Sequence, residues 1–125
     1  YSNNASPPKF IMYAFTEISG FSKFGTYTGN ASSSYGKFVY LGFRPAFIIL
    51  KGTSDSTAFW TIIDNKRNEF NAVNKWLYSN DAQSEYNASS YPIDFLANGF
   101  IVKTNASYTN TSGGTYIYLA LVLMV

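Results

Sequence analysis

The chain has 125 residues and a formal net charge of +2; 46% of its residues are hydrophobic, 19% aromatic and only 13% charged. Histidine and cysteine are both absent, which excludes Ser-His-Asp and Cys-His nucleophilic sites, disulfides, and imidazole or thiolate metal sites. The basic residues are scattered rather than striped, so no nucleic-acid partner is expected. No membrane insertion is expected either, because the longest apolar run, 116–125, is about half of the roughly 20 residues a spanning helix needs.

Residues 1–8 (YSNNASPP) are polar, end in two prolines and read as a leader or linker. Phe10 to Ile18 is an apolar run of β-favouring residues closed by Ser19-Gly20. Phe21 to Thr28 alternates loosely, and Thr28-Gly29-Asn30 is a turn signal. Strands are then expected over 37–41, 46–51 and 58–64, separated by GFRP and GTSDST. Residues 65–80 place Val73, Trp76 and Leu77 at helical spacing, but five Asn disfavour a long helix. A loop with one short turn and a hairpin is expected there. Residues 81–92 are polar and irregular, 93–96 and 100–103 are strands about an Ala-Asn-Gly turn, 104–114 is a long polar tip, and 115–125 is the final strand. Short strands between Gly/Asn/Ser turns predict an all-β fold, an antiparallel, jelly-roll-like β-sandwich.

The final strand has no polar face. Ile117, Leu119, Leu121, Leu123 and Val125 alternate with Tyr116, Tyr118, Ala120, Val122 and Met124. A half-exposed strand would alternate apolar with polar residues, so the second face needs cover, from another chain or from this chain's own loops. Ile11-Met12-Tyr13-Ala14-Phe15 also repeats the pattern of Ile117-Tyr118-Leu119-Ala120-Leu121. Residues 1–19 therefore read as a leader carrying a candidate donor or linker strand, and 20–125 as the sandwich. The expected partner is another copy of the chain, through Phe10, Met12, Tyr13, Phe15, Tyr118, Leu121, Leu123 and Val125.

Two further surfaces carry chemistry. Trp60 and Trp76, with Asp64, Arg67 and Asn68 between them, could stack and hydrogen-bond a sugar from a cell-surface glycan; the competing role of both tryptophans is core packing. Five Asn-x-Ser/Thr sequons, at Asn4, Asn30, Asn87, Asn105 and Asn110, are candidate N-glycosylation sites in turn-like segments. The carboxylates show neither the spacing of a calcium loop nor an evident catalytic pair, with Asp64 and Glu69 reading as partners of Lys66-Arg67. No cofactor, no metal and no enzymatic activity is expected.

Taken in order, GFSKFGTYTGN (20–30), FVYLGFRPAFIILK (38–51), FWTIIDNKRN (59–68), IDFLANGF (93–100) and NTSGGTYIYLA (110–120) resemble an uncharacterised domain, often in tandem, of predicted tail and other virion proteins of marine and other tailed phages. In such arrays a Tyr-Ile-Tyr-x-Ala-Phe-like strand ends one repeat and runs into a GFSKFG-like opening, as Ile11–Phe15 precedes Gly20–Gly25 here. The resemblance implies an extracellular, structural or receptor-facing role in a fibre and no catalytic residue. LALVLMV at 119–125 is more apolar than such repeat ends, and the sequons exceed what a virion protein needs. Both suit a self-assembling, glycan-coated filament subunit.

Overall fold

A computed structural model describes residues 9–122. Nine strands follow in chain order: β1 (Ser22–Thr28), β2 (Lys37–Tyr40), β3 (Phe47–Gly52), β4 (Thr61–Asp64), β5 (Lys75–Tyr78), β6 (Tyr86–Asn87), β7 (Ile93–Leu96), β8 (Gly99–Val102) and β9 (Thr115–Leu121). They form a six-stranded sheet, β1-β9-β3-β4-β5-β6, packed on a three-stranded sheet, β2-β8-β7. Every pairing is antiparallel, and the described residues contain no helix. The fold is the all-β sandwich that the short strands predict.

β9 lies at the centre of the larger sheet, between β1 and β3. Its Tyr116, Tyr118 and Ala120 point to the smaller sheet and are buried, beside Ile48 and Leu50 of β3, Ile63 of β4 and Trp76 of β5. Val39, Ile93, Phe95, Phe100 and Val102 close the core from the opposite sheet. Phe100 meets Tyr27 and Tyr118 edge-on, with ring centroids 6.2 and 5.7 Å apart, while Tyr27 stacks on Tyr116 at 5.0 Å. Such contacts add to the burial of the rings themselves. Tyr118 fits because it pairs with Gly25 on β1, and its ring occupies the space that a side chain at 25 would take.

Tyr118, expected at a subunit interface, is therefore a core residue. Strand parity is the reason: it shares a face with Tyr116 and Ala120, and that face turns inward. Trp76, expected at an exposed sugar site, is only 1% exposed because β5, which lies in the stretch where a hairpin is expected, delivers it to the core opposite Ile63. The polar segment 81–92 contributes β6, which pairs Tyr86 with Trp76.

The tip at 104–114 is tied down rather than free. Asn110 is fully buried; its side-chain amide donates to Asn30 Oδ1 (2.9 Å) and the Thr104 carbonyl (2.6 Å), and its oxygen accepts from the Asn30 amide (2.9 Å). Tyr27 and Tyr116 donate their hydroxyls to the carbonyls of Thr109 (2.6 Å) and Ser107 (2.7 Å). Gly29 must be glycine, since a Cβ there would collide with the Thr111 carbonyl. Asn110→Ala leaves several of these groups unpaired, and should lower the unfolding free energy in urea by about 2–4 kcal/mol, against less than about 0.5 kcal/mol for exposed Asn105→Ala.

Burial raises the Tyr27 hydroxyl well above its ordinary value, with Tyr116 adding to the effect; Tyr78 is pushed to about 12, chiefly by burial and then by the neighbouring Tyr86. The unfolded chain releases these protons near pH 10, where the folded chain still holds them. Stability from this source is complete below about pH 10 and is lost as pH rises toward the folded values. Tyr27→Phe should cost about 1 kcal/mol at neutral pH through its lost hydrogen bond and make the alkaline decline shallower, as read by denaturation at stepped pH.

Candidate functional site

The outward face of the larger sheet is built from the same strands. Register places Phe24 (β1) beside Leu119 (β9), Leu119 beside Ile49 (β3), Ile49 beside Ile62 (β4), and Ile62 beside Leu77 (β5). This is an unbroken apolar row across five strands. Ile117 and Trp60 flank it on one side, Leu121 and Phe47 on the other. All these side chains keep partial exposure, and among the described residues no second layer lies over the row. An outward sheet face in a two-sheet sandwich is ordinarily polar.

The segment before β1 lies at one border of this face. Phe10, Ile11, Met12 and Tyr13 are each at least 80% exposed, and Phe15 is 64% exposed. Residues 9–17 form no strand within the chain. Tyr13 and Phe15, with Phe24, Ile49, Trp60, Ile117 and Leu119, line a groove of about 670 Å³, and the rings of Phe15 and Phe24 lie 6.3 Å apart. β1 is an edge strand. The Glu17 carboxylate accepts from its Phe24 amide (2.9 Å) and Ile18 pairs with Ser22, while Thr26, farther along, has no such cover. Of the expected interface residues, Tyr13, Phe15 and Leu121 thus fall on or beside one face, Phe10 and Met12 are exposed in the segment that leads to it, Tyr118 borders the groove but is buried in the core, and Leu123 and Val125 lie outside the described residues. The cross-strand row was missed in sequence because it depends on register between distant strands; the apolar alternation of each strand was its only trace.

The five residues expected to bind sugar do not converge. Trp60 lines the outer groove at 40% exposure, whereas Trp76 points into the core on the other side of the sheet. Asp64 is committed to its turn, accepting from the amides of Lys66 and Arg67 (2.9 Å each) and from Arg67 Nε (2.7 Å). Partial burial raises its carboxyl, but the Arg67 and Lys66 bonds outweigh that and hold it below the usual range. Asn68 accepts from the amides of Asn74 and Lys75, fixing the entry to β5. Three other acids are similarly engaged: Asp94 pairs with Lys103, Glu85 lies near Arg67 (3.9 Å) and Lys75 (3.8 Å), and Asp55 accepts from Thr57, which lowers its carboxyl. No cluster of three metal-ligating side chains occurs among the described residues.

A family model described as a domain of unknown function, DUF7483, matches residues 1–123. The chain belongs to this family. Comparisons with curated proteins and with solved structures give no match.

Within this DUF7483 domain the sequons differ sharply. Asn87 and Asn105 are exposed, and their side chains bond to no other group among the described residues. Asn110 is a correction, because its amide nitrogen is sealed in the tip and cannot carry sugar in the folded chain. Asn30 is exposed, and its side-chain nitrogen donates one hydrogen to the Gly36 carbonyl (2.7 Å). Asn4 lies outside the described residues. When the chain is made in a glycosylating host, peptide mapping of the folded product should find sugar at Asn87 and Asn105 and none at Asn110.

Proposed function

We propose that this DUF7483 domain is a non-catalytic structural subunit of an extracellular fibre or filament, phage tail-fibre-like or on a cell surface, whose copies join through the exposed apolar segment 10–15 and the outer face of the six-stranded sheet. The uncovered five-strand apolar row carries this reading. Contiguous apolar surface of this kind marks a contact site. The segment supplies a matching element, since Tyr13 and Phe15 stand where Leu119 and Leu121 stand in the pattern that β9 repeats.

Magnitudes decide what must be buried. Each large apolar side chain taken from water contributes about 1.5–3 kcal/mol, so Phe10, Ile11, Met12 and Tyr13 together offer about 6–12 kcal/mol. Association costs about 4–15 kcal/mol in lost freedom. Burying the segment alone is marginal, whereas burying it together with the sheet face gives a stable contact. The low charged fraction adds little repulsion between copies.

Sedimentation velocity across a range of concentrations separates the outcomes. The full chain should form species larger than one chain, and deletion of residues 1–18, or combined Phe10→Ser, Met12→Ser and Tyr13→Ser, should return it to monomer with little change in melting temperature. A full chain that stays monomeric at every concentration contradicts the reading; unchanged assembly of the deletion contradicts the role of the segment.

A further inference from the structure

The smaller sheet has three strands and the larger six, so the inner face of the larger sheet extends past its strand cover toward β6. Tyr78 of β5 and Tyr86 of β6 lie on that inner side, in register with buried Thr61 and Trp76. Loop residues Tyr91 and Tyr108 face them, and the four tyrosines with Phe59 and Gln83 enclose a pocket of about 200 Å³. The rings are mutually braced: Phe59 and Tyr78 lie 4.5 Å apart, Tyr78 and Tyr86 6.2 Å, and Tyr91 and Tyr108 meet edge-on at 6.2 Å. Tyr91 also packs on Trp76 at 6.0 Å, so the wall is anchored in the core.

The hydroxyls distinguish these tyrosines from the structural ones. Tyr27 and Tyr116 each donate to a backbone carbonyl, whereas Tyr78, Tyr86, Tyr91 and Tyr108 have no hydrogen-bond partner for their hydroxyls within the described residues. The hydroxyl of Tyr78 is held protonated by burial and by the proximity of Tyr86, Tyr108 and Tyr91. A protonated phenol both donates and accepts, and Gln83 adds an amide. No lining side chain is charged, and the nearby Asp81 carboxylate is engaged by the backbone and side-chain amides of Gln83 (3.0 and 3.2 Å).

We propose that this pocket binds one ring of a neutral saccharide. Ring faces suit the C–H face of a pyranose, and the unpaired hydroxyls and the amide suit its hydroxyl groups. The volume lies below the 300–1,000 Å³ of drug-sized sites and takes one small ring rather than an extended chain. The absence of lining charge selects against anionic sugars. The pocket opens on the side of the sheet opposite the apolar row and shares no residue with it, so it does not depend on assembly.

The experiment is a titration of the full chain, at a concentration where it is monodisperse, with D-glucose, D-galactose and N-acetyl-D-glucosamine, and separately with choline, followed by the tyrosine ring signals in NMR. At least one sugar should saturate with a millimolar Kd. Tyr86→Ala should weaken it about tenfold or more, and Tyr86→Phe and Gln83→Ala each about two- to tenfold. Tyr86 is 40% exposed on a two-residue edge strand and Gln83 lies on an exposed loop, so these variants should keep the wild-type melting curve. Trp60→Ala, on the other face, should leave affinity unchanged. No saturation by any of the three sugars, stronger binding of choline through its attraction to ring faces, or an affinity insensitive to Tyr86→Ala would each overturn the proposal.

Discussion

β9 is apolar on both faces, and the rest of the molecule is arranged around that strand. An apolar strand of seven residues at the centre of a sheet contributes one set of side chains to each side. Tyr116, Tyr118 and Ala120 meet the smaller sheet and nucleate the core around Phe100. Ile117, Leu119 and Leu121 meet no second layer among the described residues, although their neighbours Phe24, Ile49 and Ile62 extend the same apolar surface across the sheet. Among the described residues the sandwich is thus closed on one side only, and the proposed self-association rests on the same strand that organises its interior.

The second organising element is polar. The Asn30–Asn110 exchange joins the turn after β1 to the loop before β9, and Tyr27 and Tyr116 reinforce it from within the core. These bonds hold β1 and β9 in register at the end farthest from the N-terminal segment. The clamp explains why one sequon is occupied structurally: the Asn110 side-chain amide that a glycosylating enzyme would modify is the donor that closes the tip.

The strands were readable wherever local apolar alternation sufficed, as in β3, β4, β8 and β9. β5 was readable only as part of an unplaced hairpin and β6 not at all, because KWLY sits in an Asn-rich stretch and YN in a polar one; both become strands by pairing in succession with the strand before them. The apolar doubling of β9 was visible, but not which face would turn inward, so Tyr118 was assigned to the wrong side. Trp76 and Trp60 looked like partners because their separation along the chain hides the fact that they lie on opposite faces of one sheet. The polarity of Asn110 suggested exposure, yet a buried amide with all its bonds satisfied is equally polar in sequence. The tyrosine pocket left no local signal, since its six residues come from three separate stretches of chain.

A surface that mates with a second copy changes its contact with water, and that change can be measured residue by residue. Hydroxyl-radical footprinting of the full chain at low and high concentration reads side-chain exposure directly. Assembly through this face predicts that labelling of Met12, Phe24, Ile117 and Leu119 falls as concentration rises, while Tyr35 and Phe70, exposed elsewhere, label equally throughout. Equal labelling of all six at every concentration would contradict it.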